Sequence, residues 1–270
     1  MRKMRLCWRR GSWVEVNQIY YGDCLDIMPE ITDKSIDMIL CDLPYGTTAC
    51  KWDTIIPFEP LWKEYKRIIK DNGVIVLTGN EPFSSHLRLS NIEMYKYDWI
   101  WHKDRPTNIF TIKNRPGLCY ENIMVFMNKC YYYPIMEPSV LSISRPKSVG
   151  NKTSSLTKKL NKIEIYGNSV AKCSENYNRK MRYPRNVIYF NKEHRKQRYH
   201  PTQKPVALFE YLIKTYTNKG DLVLDNCAGS GTTGVACKIL DRDYILIEKE
   251  KKYVEIIKNR LKTIPELLFK

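Results

Sequence analysis

From Asp221 to Asp225 the chain is a short apolar run. It passes through Asn226-Cys227-Ala228-Gly229-Ser230-Gly231 and resumes at Thr232-Thr233 as the start of a helix. A strand that feeds a helix through a glycine turn constrains the fold more than any other segment. Small residues there let backbone N–H groups approach a ligand at the helix start, an arrangement at home in α/β sheets. Residues 18–21, 36–41, 74–78, 97–101, 122–126, 222–225 and 243–247 are apolar or β-branched runs bounded by turn signals and read as strands. Phe58, Leu61, Trp62, Tyr65, Ile68 and Ile69 recur at helical spacing, with Asn72-Gly73 as the stop. Val206, Phe209, Leu212, Ile213 and Tyr216 form a second apolar stripe before Gly220, and helices are expected over 232–240 and 250–262. Strands alternating with helices predict an α/β fold with a doubly wound, mainly parallel sheet.

Periodicity fades between 130 and 198, where Ser, Asn, Lys and Pro rise, so an irregular insertion is expected there. Charge concentrates in the same place. Residues 129–204 hold 17 Lys and Arg against 4 Asp and Glu, so most of the net charge of +16 lies in about a quarter of the chain. A solvated basic face would account for the lysines alone. Tyr131, Tyr132, Tyr133, Tyr166, Tyr177, Asn178, Tyr183 and Asn186 are interleaved with them, adding groups that stack on bases or bond their edges while cations neutralise phosphate. Arg179, Lys180, Arg182, Arg185, Arg195 and Arg198 are the candidate DNA contacts of this segment.

The nine cysteines include no Cys-x-x-Cys and no tight Cys/His cluster, which argues against a zinc site and against a disulfide framework. Reduced thiols and a cytoplasmic setting follow. Residues 1–16 are basic but lack the apolar run of about 7 to 15 residues found in a signal peptide, and no stretch approaches the roughly 18 apolar residues of a membrane span. They read as an N-terminal extension.

Gly229, Gly231 and Gly234 spell G-x-G-x-x-G, with Glu248 ending the next strand, the outline of a dinucleotide fingerprint. Only 36 residues follow Gly234, too few to complete a dinucleotide-binding sheet and a substrate domain downstream, so the alternative is a permuted domain. The second informative stretch lies far upstream, at Cys41-Asp42-Leu43-Pro44-Tyr45-Gly46. A carboxylate, a proline and an aromatic ring stand there at a strand end, where α/β sheets bind ligands.

Together these stretches resemble the signature of amino-methylating DNA methyltransferases, whose catalytic motif is D-P-P-Y. The catalytic motif comes first here, which is the circularly permuted β-group order, and the likeness covers nearly the whole chain. Gly46 to Asp53, Trp101-His102-Lys103, Lys113-Asn114-Arg115-Pro116 and Tyr120-Glu121-Asn122 resemble a phage-associated, adenine-specific branch, also similar to restriction-modification enzymes. The chain departs from the family pattern at Leu43, Asn226 and Cys227, which replace two prolines and a phenylalanine.

The resemblance implies transfer of a methyl group from S-adenosyl-L-methionine to the N6 amino group of a flipped-out adenine in double-stranded DNA. It implies a catalytic half at 17–129, a target-recognition region at 130–198 and a cofactor-binding half at 199–270. Asp42 and the Pro44 carbonyl would accept from the amine, and Tyr45 would stack on the base. Asp225, Asn226, Gly229, Ser230, Gly231, Thr232 and Thr233 would wrap the cofactor, with Glu248 on the ribose. Thr202, a potential N-cap, and Lys204, a cation for a ligand carboxylate, sit in the preceding segment. Asp23 is either an acceptor near the adenine ring or a turn residue capping the helix around Leu25 to Met28. Lys51, Lys103 and Arg115 are further candidate phosphate contacts, no metal is implied, and a cognate restriction nuclease is a candidate partner.

An aspartate at the head of the motif accompanies adenine more often than cytosine in this family, so Asp42 favours adenine over cytosine N4. No Pro-Cys dipeptide occurs, which argues against cytosine-C5 chemistry. The rival readings are a cytosine-N4 enzyme, a DNA-binding protein of this fold that has lost turnover, and a methyltransferase for RNA or protein.

Overall fold

Strand β2 (Ile36–Cys41) shows why the sheet is buried on both faces. Ile39 and Cys41 pack into one apolar cluster with Tyr65, Leu224 and Ile247, while Met38 and Leu40 pack into another with Leu212, Val223 and Ala236. Side chains alternate across a strand, so a run that is apolar on both faces, as from Met38 to Cys41, needs cover on both sides. The computed structural model describes residues 14–47, 50, 53–139, 181–193, 199–200 and 202–264.

The described elements run β1 (Gln18–Tyr21), α1 (Cys24–Ile27), β2, α2 (Phe58–Ile68), β3 (Ile69–Gly79), α3 (Phe83–Ser90), β4 (Tyr95–His102) and β5 (Tyr120–Phe126). After these come β6 (Glu137–Pro138), β7 (Met181–Arg182), β8 (Val187–Tyr189), α4 (Val206–Tyr216), β9 (Leu222–Asp225), α5 (Thr232–Leu240), β10 (Asp243–Glu248) and α6 (Lys251–Thr263). The eight-stranded sheet has the order β1-β10-β9-β2-β3-β5-β4-β8. Every pairing in it is parallel except the two made by β5. The central neighbours β9 and β2 come from opposite ends of the chain, and Ile39 faces Leu224 across them. A crossover of this kind leaves a crevice at the strands' carboxyl ends.

Helix α2 covers one face because Leu61, Trp62, Tyr65 and Ile68 share a side and are all buried. Each contributes about 1.5 to 3 kcal/mol by leaving water. The helix ends earlier than Asn72-Gly73 suggests. Ile69 turns directly into β3, which runs through Asn72 and Gly73 to Gly79, and a register irregularity against β2 accommodates the glycine. Helix α3 has too short an apolar pattern to stand out in sequence.

The chain divides into two units, Met1–Tyr133 with Arg185–Lys270, and Pro134–Pro184. In the smaller one, β6 and β7 pair antiparallel and Arg182 bonds Glu137. The irregular stretch expected over 130–198 thus gives way to regular structure on its C-terminal side, where β8 joins the main sheet parallel to β4. No helix among the described residues is long and apolar enough to cross a membrane.

Candidate active site

A cavity of about 960 Å³ opens along the carboxyl edge of the sheet. Six successive elements of that edge each supply a polar residue to it: Asp42 after β2, Asn80 after β3, Lys103 after β4, Glu121 at the start of antiparallel β5, Asp225 ending β9 and Glu248 ending β10. Parallel strands aim their ends the same way, so sheet order alone brings together residues more than 200 positions apart.

Asp42 is anchored through one oxygen. Its Oδ1 lies 2.5 Å from the Tyr45 hydroxyl and 2.7 Å from Lys204 Nζ, and it accepts from the Thr78 hydroxyl as well. Every one of these contacts converges on Oδ1, which leaves Oδ2 for an incoming donor. Lys204 also lies 2.9 Å from Glu121 Oε1, and Lys103 lies 2.7 Å from Glu121 Oε2. Lys103, Lys204 and Glu121 have side chains only 3, 7 and 4% exposed. Two cations thus offset two carboxylates in a nearly dry site, the condition under which buried charges are tolerated. Burial opposes charge on Glu121, yet Lys204 and Lys103 hold its carboxyl below the ordinary range. Lys204 is held above its ordinary value because Asp42 and Glu121 outweigh the cost of burial. The Tyr45 phenol is pushed well up by burial and by the carboxylates of Asp42 and Glu121, so it keeps its proton.

This cluster changes two expected assignments. Lys103 is not a phosphate-facing surface cation, because Glu121 draws it into the interior. Lys204, expected on a ligand carboxylate, bridges Asp42 and Glu121 instead. The Tyr45 ring is half-buried against Phe83, with centroids 5.0 Å apart, and its hydroxyl turns inward to the cluster. Leu43, the departure from the family motif, is 3% exposed and packs into the core, so apolar contact fixes the backbone where a proline would have stiffened it. Asp53 accepts from the backbone N–H groups of Gly46 and Thr47 at 2.9 Å each and pins the turn after Tyr45.

On the neighbouring strand β9, Asp225 is buried, accepting from Cys227 N at 3.1 Å and from the Thr233 hydroxyl. Burial pushes its carboxyl up to about 7. Glu248 is raised by burial too, although Glu250 N donates to its Oε1 at 2.8 Å and Gly229 N to its Oε2 at 2.7 Å. Asp225, Asn226, Gly229, Ser230, Thr232 and Glu248 line the cavity, but Gly231 and Thr233 do not. Gly231 has φ +79°, and a Cβ there would stand 2.7 Å from Ile257, so this glycine serves the turn and the approach of α6. Thr233 lies behind Asp225 and orients it. Asn226, which replaces a proline, accepts from the Tyr65 hydroxyl at 2.6 Å, so its amide braces the wall from inside.

Asp23 caps α1, its Oδ1 accepting from Leu25 N at 2.8 Å, while the residue also lines the cavity. Thr202 is not an N-cap. Helix α4 starts at Val206 after Pro205, and Thr202 bonds His200 Nδ1 instead. Arg115 is exposed on the cavity rim and Arg185 is exposed. Arg182 is half-buried and its charge is met by Glu137. Lys51, Arg179, Lys180, Arg195 and Arg198 lie outside the described residues.

Three lining or supporting residues were not assigned roles from sequence. Thr78 and Asn80 close an apolar strand, and Glu121 opens one. A polar residue at the end of a fully buried strand was the available signal. Asn80 Oδ1 is buried and has no hydrogen-bond partner among the described residues. Such an acceptor costs about 1 to 3 kcal/mol until a donor meets it.

Residues 36–259 match the family model described as DNA methylase. The chain is 27% identical to the type II methyltransferase M2.MboI of Moraxella bovis over 93% of this chain and 89% of that protein. It is 29% identical to the DNA adenine methyltransferase YhdJ of Escherichia coli (strain K12), over 92% of this chain and 83% of the relative. Among solved structures, the M1.HpyAVI–SAM complex superposes with a TM-score of 0.58 at 26% identity, over 90% of this chain and 98% of that one. The chain belongs to the DNA methylase family.

Proposed function

We propose that the protein transfers a methyl group from S-adenosyl-L-methionine to the N6 amino group of adenine in double-stranded DNA. The observation that carries this reading is the state of Asp42: one carboxylate oxygen is held by three donors while the other takes none among the described residues, and Asp42 lines the same cavity as Asp225 and Glu248. A relative named as a DNA adenine methyltransferase supports the choice of base.

The residues present suit this cofactor. Glu248 is a buried acceptor fit for ribose hydroxyls, Asp225 is a carboxylate that a cationic ligand would help to ionise, and the Gly229 turn keeps backbone close to the ligand. When bound, S-adenosylmethionine supplies an electrophilic methyl group on a sulfonium.

The rest is done by side chains of this chain. An exocyclic amine is a weak nucleophile because its lone pair is delocalised into the ring. Asp42 Oδ2 and the Pro44 carbonyl are acceptors for its two hydrogens, and accepting them favours a pyramidal nitrogen with a localised lone pair. Preorganised contacts of this type are worth roughly 10² to 10³ in rate. Tyr45 and Lys204 act on Asp42, holding its Oδ1 so that Oδ2 does not rotate away. Because the amine of a paired base is not exposed for such attack, the base leaves the stack.

Arg115 and the basic stretch at 179–198 would meet phosphate, with the segment around 130–198 reading the sequence. Such an enzyme works where DNA is, in the cytoplasm, and a nuclease of the same recognition sequence would be its counterpart. Purified protein, methyl-labelled cofactor and mixed-sequence DNA, followed by nucleoside mass spectrometry, test the reading. N6-methyladenine is expected; label found only as N4-methylcytosine would overturn the choice of base, and absence of transfer would overturn the enzymatic assignment.

A further inference from the structure

Between β4 and β5 the chain forms a closed projection whose tip carries an unburied aromatic ring. Thr107 N donates to Leu118 O at 3.0 Å. Asn108 clamps the same neck twice, its Oδ1 accepting from Leu118 N at 2.6 Å and its Nδ2 donating to Pro116 O at 3.0 Å. Beyond the neck, Ile109–Thr111 make a single 3-10 turn, and the Thr111 hydroxyl bonds both Asn108 O and the Arg115 side chain. The projection is therefore held by its own hydrogen bonds, and it presents Phe110 at 101% exposure with Ile109 at 61% beside it.

A lone exposed apolar residue is ordinary on a protein surface. Position and company set this one apart. Arg105, Asn108, Ile109 and Arg115 line the same cavity that holds Asp42, so the tip stands at the mouth through which a base would enter. Lys113 and Arg115 are exposed just behind it. An apolar tip flanked by cations matches DNA at one kind of place, where a side chain enters the base stack while cations meet the adjoining phosphates. Extruding a base opens such a gap.

We propose that Phe110 is a wedge that enters the duplex at the target base pair, with Ile109 beside it and Lys113 and Arg115 on the flanking phosphates. The wedge holds the stack open while the target base occupies the cavity beside Asp42. This rests on the reading of the protein as a methylase of paired DNA.

The test uses the full chain and its own recognition sequence, found by sequencing the modified DNA. Phe110→Ala is compared with wild type on a duplex whose target base is paired, and on one whose target base faces an abasic site. Phe110→Ala is expected to lose roughly tenfold or more of kcat/KM on the paired target and less than about threefold on the unpaired one, because only the first must be opened. With 2-aminopurine at the target position, the fluorescence rise on binding should shrink in the variant. Equal losses on both duplexes, or full activity of the variant on the paired one, would overturn the wedge. Failure of the underlying reading looks different, since wild type would then transfer no methyl group to either duplex.

Discussion

Lys204 Nζ stands 2.7 Å from Asp42 Oδ1, joining the segment before α4 to the end of β2 across 162 positions of sequence. The bridge ties the carboxylate proposed to meet the amine to the segment that precedes α4. It also makes Asp42 one member of a four-charge cluster rather than an isolated acid, because Glu121 and Lys103 complete the balance.

Glu121→Gln removes one negative charge from that cluster and leaves Lys103 buried without an anion. Breaking a buried pair typically costs about 3 to 5 kcal/mol, so unfolding in urea should shift by that order. Replacing Lys103 and Glu121 together, as Lys103→Met with Glu121→Gln, should recover part of the loss, since no unpaired ammonium is then buried. Glu121 is also held below its ordinary range. The unfolded chain then binds more protons than the folded one as pH falls, and the stability from this group is present above the usual carboxylate pKa and lost on acidification. A single variant as stable as wild type would show the cluster to be energetically neutral.

Asp42→Ala should abolish transfer while cofactor affinity stays within severalfold. The carboxylate touches Tyr45, Thr78 and Lys204 through Oδ1, with Oδ2 proposed for the amine and Asp225 and Glu248 proposed for the cofactor. Single-turnover rates beside calorimetric affinities separate the two effects. Appreciable turnover by the variant would remove Asp42 from the mechanism, and Glu248→Ala should give the converse pattern of weak cofactor binding with DNA binding intact.

Asn80→Ala pits stability against function. Its Oδ1 is buried without a partner, so deleting the amide should leave the free protein as stable as wild type or slightly more so. Asn80 also lines the cavity proposed to take the base, so the same change should lower kcat/KM, by up to roughly 10²-fold if the carbonyl takes a donor of the substrate. Thermal unfolding and steady-state rates on the same sample decide it. Unchanged catalysis would mean that the carbonyl meets no donor on the substrate.

How far the sequence led can be seen in the strands. Strands Ile36–Cys41 and Leu222–Asp225, with the apolar stretches Met38 to Cys41 and Leu222 to Leu224 at their centres, fall where period and turn signals put them. Asp42, Asp225 and Glu248 were legible as residues of the cavity wall because polar groups at the ends of such runs have only the sheet edge to occupy. The ion pairs of Lys103 and Lys204 were not legible, for a different reason. A lysine's sequence neighbours do not reveal which carboxylate lies across the fold, and Glu121 meets both only because β5 runs antiparallel beside β4. Helix α3, with eight residues, and β8, with three, are too short to carry a clear period. Gly231 and Thr233 lay within a recognisable motif, yet packing against Ile257 and support of Asp225 turn them away from the cavity.

Asp225 supplies a pH dependence whose sign is fixed. Burial raises its carboxyl to about 7, so the free protein holds it largely neutral below that pH, whereas in the unfolded chain it is ionised above about 4. Between those values the folded state binds the extra proton, and the stability owed to this group is present below about 4 and is lost as the pH rises through about 7. A cationic ligand acts in the opposite direction, because it favours the carboxylate and must displace the proton to pair with it. S-adenosylmethionine affinity should therefore strengthen as pH rises toward 7, by at most about tenfold per pH unit, and level off above it. Calorimetry near pH 6 in buffers of different ionisation enthalpy should register release of up to about one proton, and near pH 8.5 almost none from this group. Asp225→Asn should bind more weakly and lose the low-pH dependence. An affinity that is flat from pH 5.5 to about 7.5 in wild type would show that Asp225 does not face the cationic part of the cofactor, and would move that role to Glu248 or Asp23.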